Sequence, residues 1–188
     1  VNILLVNVPS RKGAKELTLG LLYVGGIIER AGHKAKIVDI YTEGSEFLLR
    51  TITEFKPDIV GFGGIASSYG RTKEYSNKIK EGYPNIVQIV GGALASTYEL
   101  LLTKTKVDVI FHGESERNLP LFLERIEKKE QYCDIPGISY FNALENKIVK
   151  NLPVVQISDI DEVPYPAYNL VDINKYLIPV QAMLTGYA

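Results

Sequence analysis

"QIVGGALAST", residues 88 to 97, is an apolar run that ends in two glycines and continues into small and hydroxyl-bearing residues. Its branched aliphatic side chains do not alternate with polar ones, which is typical of a strand buried on both faces of a parallel sheet. Glycine at the end of such a strand leaves the main chain bare, because no Cβ separates the backbone from a neighbouring molecule. The stretch therefore predicts a buried strand whose end approaches either a tight turn or a ligand.

Four further runs share this pattern, so we predict five buried strands, at 3–8, 36–41, 58–63, 86–91 and 107–112. Segments with helical spacing separate or follow them, at 19–31, 43–55, 71–82, 94–104 and 115–129. Gly32, Pro57 and Pro84 follow the first three helices, and Ser115 is placed to cap the fifth helix with Glu116 in its first turn. This alternation predicts a doubly wound α/β sheet of five parallel strands with right-handed crossovers.

The pattern changes after Asp134. "PGISYFNALENKIVKN" predicts two short strands around a turn rich in Asn and Glu, and "ISDIDEVPYPAYNLVDINKYL" contains acidic residues and two prolines that forbid a long regular element. We therefore predict a ligand-binding domain over 1–133 and a β-hairpin with a linker over 134–188.

The composition restricts the environment and the partners. The chain has 188 residues, of which 46% are hydrophobic and 23% charged, as expected for a globular domain. Lys and Arg total 21 against 22 for Asp and Glu, so we expect no nucleic-acid partner. The single cysteine, Cys133, excludes an internal disulfide, an iron–sulfur cluster or a Cys-rich zinc site. No apolar run is long enough for a membrane span, so we expect a cytoplasmic protein that does not contact a membrane.

Ligands in open α/β sheets bind beyond the carboxyl ends of the strands, which nominates four loops here. These loops are "VPSRKGAKELTLG", "GGIASSYG", "GGALAST" and "HGESE". Three of them carry glycine where the strand ends, and Ser67, Ser68, Ser96 and Thr97 add hydroxyl groups. Each glycine alone is explained equally well by a tight turn, but three such loops together favour a ligand groove.

Several cofactors use this architecture, and the first loop argues against three of them. NAD calls for a Gly-x-Gly-x-x-Gly turn; this loop contains only Gly13, although Asp39 stands where the acidic residue would be. A phosphorylated receiver domain needs acidic residues where Asn7 and Gly63–Gly64 stand. Ser10 alone is thin support for a flavin phosphate.

Two histidines and two glutamates remain as candidates for chemistry. His33 falls at the amino end of the sheet and is predicted to be a surface residue, whereas His112 ends the fifth strand and either faces the groove or packs. Glu114 and Glu116 follow it as candidate bases, although Glu116 also suits a helix N-terminus. The sequence shows neither a Ser-His-Asp constellation nor a metal-ligand cluster, so no self-contained catalytic site and no protein metal ligand are expected.

Seven successive stretches of the sequence carry a family resemblance. They are "ILLVNVPS", "LTLGLLYVGGIIERAGHKAKIVDIY", "PDIVGFGGIASSYG", "VQIVGGALAST", "VDVIFHGESE", "IPGISYF" and "ISDIDEVPYPAYNLVDINKYL". Together they resemble the N-terminal cobalamin-binding domain of cobalamin-dependent radical S-adenosylmethionine (SAM) enzymes. The resemblance covers essentially the whole chain. It implies a Rossmann-like fold of flavodoxin type that holds a corrinoid over the carboxyl edge of the sheet, with the nucleotide tail of the cofactor inserted beside it.

The resemblance also implies which residues contact the cofactor. The first loop would approach the lower face of the corrin, the loops after the third and fourth strands would line the tail, and the loop after the fifth strand would close the far side. The residues assigned in this way are Leu17, Thr18, Leu19, Gly63, Gly64, Ser67, Ser68, Gly91, Gly92, Ala93, Gly113 and Glu114.

The chain departs from related patterns in two places. Methionine-synthase-like domains carry Asp-x-His-x-x-Gly after the first strand, but "VPSRKGAKELTLG" has no histidine to ligate cobalt. The Cys-x-x-x-Cys-x-x-Cys motif of the radical SAM barrel, which in relatives follows a stretch like "QAMLTGYA", is not in this chain. The resemblance therefore implies that SAM and a [4Fe-4S] cluster belong to a catalytic barrel of the same polypeptide beyond these residues.

We thus expect this chain to bind and present cobalamin without turnover, within an enzyme whose family commonly transfers methyl groups. Two alternatives remain open. The groove could serve a nucleotide- or nucleotide-sugar-binding transferase, or it could be vestigial in an interaction module that docks a partner through Tyr165, Tyr168 and Tyr176.

Overall fold

The computed structural model describes residues 1–8 and 17–177. The strands are β1 (Asn2–Asn7), β2 (Lys34–Asp39), β3 (Ile59–Gly63), β4 (Val87–Val90), β5 (Val109–Phe111), β6 (Ile138–Asn142) and β7 (Lys147–Lys150). The helices are α1 (Leu19–Arg30), α2 (Ile40–Glu43), α3 (Ser45–Phe55), α4 (Tyr69–Gly82), α5 (Tyr98–Lys104) and α6 (Asn118–Lys128). Within the described residues, no helix is long and apolar enough to cross a lipid bilayer.

One sheet contains all seven strands, in the order β2-β1-β3-β4-β5-β6-β7. The first five are parallel and follow the flavodoxin-type order, which confirms the predicted doubly wound fold. The predicted hairpin is also present, but the five predicted strands account only for the parallel part of the sheet. β6 pairs antiparallel with β5, so the hairpin covers an edge whose N–H and C=O groups would otherwise lack partners.

The two faces of the sheet have separate cores, because alternate residues of each strand point to opposite sides. On one face, Leu4 and Val6 of β1 pack with apolar residues of α3, α4 and α5. On the other face, Ile3 and Leu5 pack with α1 and α6. Helices α2 to α5 therefore cover the first face, and α1 and α6 cover the second.

Four helix starts differ from prediction, although α4 begins only two residues early, at Tyr69. Gly44, at φ 83°, divides the helix predicted over 43–55 into α2 and α3. The segment predicted as helix from residue 94 begins as a 3₁₀ turn over Gly92–Thr97, before α5. The capping role predicted for Ser115 and Glu116 is wrong: the chain turns at Gly113, with φ 71°, and α6 begins only at Asn118.

Residues 160–177, which we name the strap, return across α1 and the end of β2. The Ala167 N–H donates to the Leu22 carbonyl over 2.9 Å, which fixes the strap against the first helix. Gly25 and Gly26 permit this approach: a Cβ at Gly25 would lie 2.6 Å from Leu170 Cδ1, and one at Gly26 would collide with the Tyr165 carbonyl oxygen. Two helical glycines therefore provide the surface on which the strap lies.

The end of the strap is anchored beside the ligand edge of the sheet. The Tyr176 hydroxyl donates to Asp39 Oδ2 over 3.1 Å, and Lys175 Nζ lies 2.8 Å from Glu43 Oε1. Of the tyrosines considered for partner docking, Tyr176 is thus bonded to the domain, whereas the Tyr165 side chain is 93% exposed.

Candidate functional site

The carboxyl ends of β1, β3, β4 and β5 border a cleft of about 890 Å³. This volume is within the range of small-molecule and cofactor pockets. The cleft lies where the connection from β1 leaves to one face of the sheet and the connection from β3 leaves to the other. Such a switch point is the usual ligand position in this class of fold.

The floor of the cleft is an apolar groove on the sheet face that α1 and α6 cover. Leu5, Gly61 and Ile89 are neighbours in the register of β1, β3 and β4, and all three line it. A Cβ at Gly61 would lie 3.1 Å from Leu5 Cδ2 and 3.3 Å from Ile89 Cγ1, so the missing side chain deepens the groove over the central strand. The walls come from the two helices and from β5, through Tyr23, Val24, Ile27, Phe111 and Leu119.

Most of the residues that the sequence predicted to contact a ligand lie at the mouth of the cleft. Those lining it are Leu17, Thr18, Gly63, Gly64, Ser67, Ser68, Gly91, Gly92, Ala93, Gly113 and Glu114. The exception is Leu19, which begins α1, is 47% exposed and is not among the lining residues. Pro9, Ser10 and Gly13 of the first loop, and the stretch "QAMLTGYA", lie outside the described residues.

Two of these glycines are required by backbone geometry. Gly92 has φ 66° and Gly113 has φ 71°, a region that residues with a Cβ rarely adopt. No heavy atom lies within 4 Å of a Cβ built on either residue. Both turns therefore leave open space beside the main chain at the cleft.

The hydroxyl groups divide into two kinds. Ser68 is fully buried, and its Oγ donates to the Val8 carbonyl over 2.7 Å. This hydrogen bond joins the loop after β3 to the end of β1. Ser67 is exposed in the cleft. Ser96 and Thr97 instead donate to carbonyl groups of their own 3₁₀ turn, and neither lines the cleft.

Neither histidine lines the cleft. His112 Nε2 lies 2.8 Å from Ser139 Oγ, and its ring packs edge-on against Tyr98. Burial, followed by the positive charge of Lys150, holds the pKa of His112 below its ordinary value. His33 lies between α1 and β2, at the opposite end of the sheet, as predicted. Among residues 1–8 and 17–177, no group of three His, Cys, Asp or Glu side chains is placed to hold a metal ion.

The residues that sequence reasoning missed are mainly those of the groove. Gly61 carried a signal, because a glycine inside an otherwise apolar strand indicates a close approach to the backbone. Ile65 is 52% exposed at the mouth, and nothing in its sequence context marked it. Val24 and Ile27 belong to an apolar helical stripe, and only the tertiary structure shows that this stripe also borders a cleft.

A flavodoxin-type sheet with an apolar groove and a glycine-lined mouth at its switch point defines a domain that binds a small-molecule cofactor. The sequence profile of the B12 binding domain matches residues 12–123, which is more than half of the chain. The chain belongs to the B12-binding domain family, as the resemblance of its loops predicted, and the cofactor of this family is cobalamin.

Relatives with a known or assigned activity are considerably longer than this chain. It is 29% identical over 187 residues to an uncharacterised methyltransferase of Pyrococcus horikoshii, covering 94% of this chain and 40% of the relative. It is 24% identical to cytidylyl-2-hydroxyethylphosphonate methyltransferase of Streptomyces wedmorensis, covering 84% of this chain and 37% of that protein. The chain therefore spans well under half of either relative.

Solved structures share the fold. The cobalamin-dependent SAM radical enzyme OxsB, with aqua-cobalamin and SAM bound, superimposes with a TM-score of 0.73 at 18% identity, over 90% of this chain and 24% of that one. The radical SAM methyltransferase TsrM from Kitasatospora setae, with cobalamin and a [4Fe-4S] cluster bound, gives 0.67 at 17% identity, over 88% of this chain and 31% of that one.

Proposed function

We propose that the cleft holds cobalamin with the corrin ring at the mouth and the nucleotide tail in the groove, as one part of a radical SAM methyltransferase. The observation that carries this proposal is the continuity of the bare backbone at Gly91–Gly92 with the groove over Gly61. A glycine-lined mouth that leads into an apolar groove suits a ligand that combines a large ring system with an aromatic tail.

The lining residues fit these two parts of the ligand in chemical character. The tail ends in a flat aromatic base, which is best buried against apolar side chains such as Ile27, Phe111 and Leu119. The corrin presents a largely apolar face, and exposed Ile65 together with Leu17 provides apolar contact at the mouth. We assign the twelve nominated residues to the cofactor site on this basis. Ser68 would act by holding the loop after β3 to the Val8 carbonyl, and Leu19 lies outside the cleft lining.

The lower face of the cobalt would receive no histidine from this chain. The only two histidines of the sequence are directed elsewhere, and Leu17 and Thr18 are the described residues of the first loop that line the cleft. Leu17 and Thr18 would therefore offer the lower face of the corrin apolar and hydroxyl contacts, and the bound cobalamin would supply the methyl-transfer chemistry.

The activity of the larger protein follows from its relatives as a proposal. Methyltransferase names recur among the relatives, which supports methyl transfer from cobalamin. The family resemblance supports the proposal that SAM and a [4Fe-4S] cluster bind to a barrel of the same polypeptide, beyond residue 188. We accordingly propose residues 1–133 as the cobalamin-binding domain, and 134–188 as the hairpin and the connection to that barrel.

Direct binding tests the first part of the proposal. Purified protein mixed with hydroxocobalamin should elute from gel filtration with a corrinoid absorption spectrum at a near-stoichiometric ratio. Protein that elutes colourless would contradict the proposal, and colourless protein that retains a nucleotide or a nucleotide sugar would favour the transferase alternative. The second part is tested by the gene: three cysteines in Cys-x-x-x-Cys-x-x-Cys spacing shortly after residue 188 are expected.

A further inference from the structure

Glu116 presents a buried oxygen without a partner at the wall of the cleft. Its Oε2 atom has almost no exposed surface, and no hydrogen-bond donor within the described part of the chain reaches it. The residue itself lines the cleft beside Ser115 and Leu119. Buried polar atoms in folded proteins are nearly always hydrogen-bonded, so a carboxylate oxygen that the described residues leave unpaired at a ligand cleft is available to a donor from a bound ligand.

Glu116 neither caps helix α6 nor pairs with the neighbouring cation Arg117. It does not cap α6, which begins at Asn118 with Arg117 at the cap position and without a side-chain capping bond. The cation next to it in sequence, Arg117, is directed toward Glu162 of the strap, with 3.7 Å between Nη2 and Oε2. Neither a helix cap nor an ion pair with Arg117 therefore compensates the burial of Oε2 among the described residues.

We propose that Glu116 accepts a hydrogen bond from a ribose hydroxyl of the nucleotide tail, an assignment that rests on the proposed cobalamin site. The carboxylate reaches such a donor by rotation about its terminal torsion, which is broad and roughly two-fold in glutamate. Carboxylate acceptance from ribose hydroxyls is also the arrangement that other doubly wound folds use for their nucleotides.

The other polar groups of cobalamin suit this oxygen less well. The phosphate of the tail is an anion without a proton to donate, and a carboxylate repels it. The primary amide groups surround the macrocycle, which we place at the mouth. The aromatic base carries no donor on its apolar ring. The ribose lies between base and phosphate, so it is the donor-bearing part that enters beside Leu119 and Phe111.

The test compares hydroxocobalamin with cobinamide, which keeps the corrin ring and its amides but lacks the ribose, phosphate and base. Dissociation constants are measured by absorbance-monitored titration for the wild-type protein, Glu116→Ala, Glu116→Gln and Glu127→Ala. Glu127 is an exposed residue of α6 outside the cleft, so it is the matched control. We expect Glu116→Ala to weaken hydroxocobalamin binding about 10-fold or more and to leave cobinamide binding unchanged. Glu116→Gln keeps an acceptor oxygen and should lose about threefold.

A second readout separates ligand binding from a structural role. Because the substitution removes an unpaired acceptor, the melting temperature of ligand-free Glu116→Ala should equal or exceed that of the wild type. A lower melting temperature, or an equal loss of affinity for both corrinoids, would overturn the ribose assignment. Unchanged hydroxocobalamin affinity in Glu116→Ala would also overturn it while leaving the proposed function intact. Failure of the wild-type protein to bind either corrinoid would remove both proposals.

Discussion

Filling the groove at its floor gives the sharpest test of where the tail lies. In Gly61→Val, the new side chain begins 3.1 Å from Leu5 Cδ2 and 3.3 Å from Ile89 Cγ1, so its methyl groups must either displace these neighbours or occupy the groove. Overpacking of a core position costs about 1–3 kcal/mol. For a domain of this size, each kcal/mol lowers the melting temperature by about 2–4 °C. The variant is therefore expected to fold with reduced stability.

The effect on ligand binding should be larger than the effect on stability. An aromatic group comparable to the base of the cobalamin tail buries about 150–250 Å² of surface. At about 25 cal/mol per Å², its exclusion removes roughly 4–6 kcal/mol of gross burial energy. Ordering of the tail offsets part of this gain in the wild-type protein, so we expect a net loss of about 100-fold in cobalamin affinity.

The assay is titration of hydroxocobalamin and of cobinamide into the same protein preparation. Cobinamide has no tail, so its affinity for Gly61→Val should match that of the wild type. Gly70→Val is the matched control, because Gly70 is exposed in α4 and no atom lies within 4 Å of a Cβ built there. Wild-type cobalamin affinity in a folded Gly61→Val protein would refute the placement of the tail over β3.

Three further predictions concern the strap, the mouth and pH. Gly26→Ala should drive the strap from α1 because of its collision with the Tyr165 carbonyl, and limited proteolysis should then cleave the strap faster than in the wild type. Gly92→Ala should lower the free energy of unfolding by about 1 kcal/mol, measured by urea titration, because the residue sits at φ 66° although no atom crowds its Cβ. Burial raises the pKa of Tyr132 from 10.0 to about 12. Burial, together with the nearby negative charge of Asp39, raises the pKa of Tyr176 from 10.0 to about 12 as well. The unfolded chain ionises first as pH rises, so the contribution of these two tyrosines to stability should be constant below pH 10 and be lost between 10 and 12; urea titrations showing no fall in stability over that interval would contradict this.

The sequence predicted the elements well because each depends on local pattern. Apolar runs bounded by glycine or proline specify the five parallel strands, and strand–helix alternation specifies the doubly wound order. The predictions that failed depend on contacts between distant residues. The start of α6 is set by the turn at Gly113 and by the buried Asn118, whose Nδ2 donates to the Pro136 carbonyl over 3.2 Å. No local pattern contains that contact.

The site was predictable at its mouth and not at its floor. Loops that follow parallel strands converge at one edge whatever the exact packing, so the glycines of "GGIASSYG" and "GGALAST" could be assigned to a common cleft from their positions alone. The groove, by contrast, exists because α1 and α6 cover one sheet face while Gly61 provides no side chain to fill the space between Leu5 and Ile89.

The sequence by itself thus determined the class of fold, the edge of the sheet that receives a ligand and the family to which the loops belong. These follow from the period of the apolar residues and from residues adjacent along the chain. Only the tertiary structure decided that the groove runs over β3 and that the strap lies on two helical glycines. It alone also showed that the Oε2 atom of Glu116 is buried with no donor among residues 1–8 and 17–177, because burial and the lack of a donor are properties of neighbours in space.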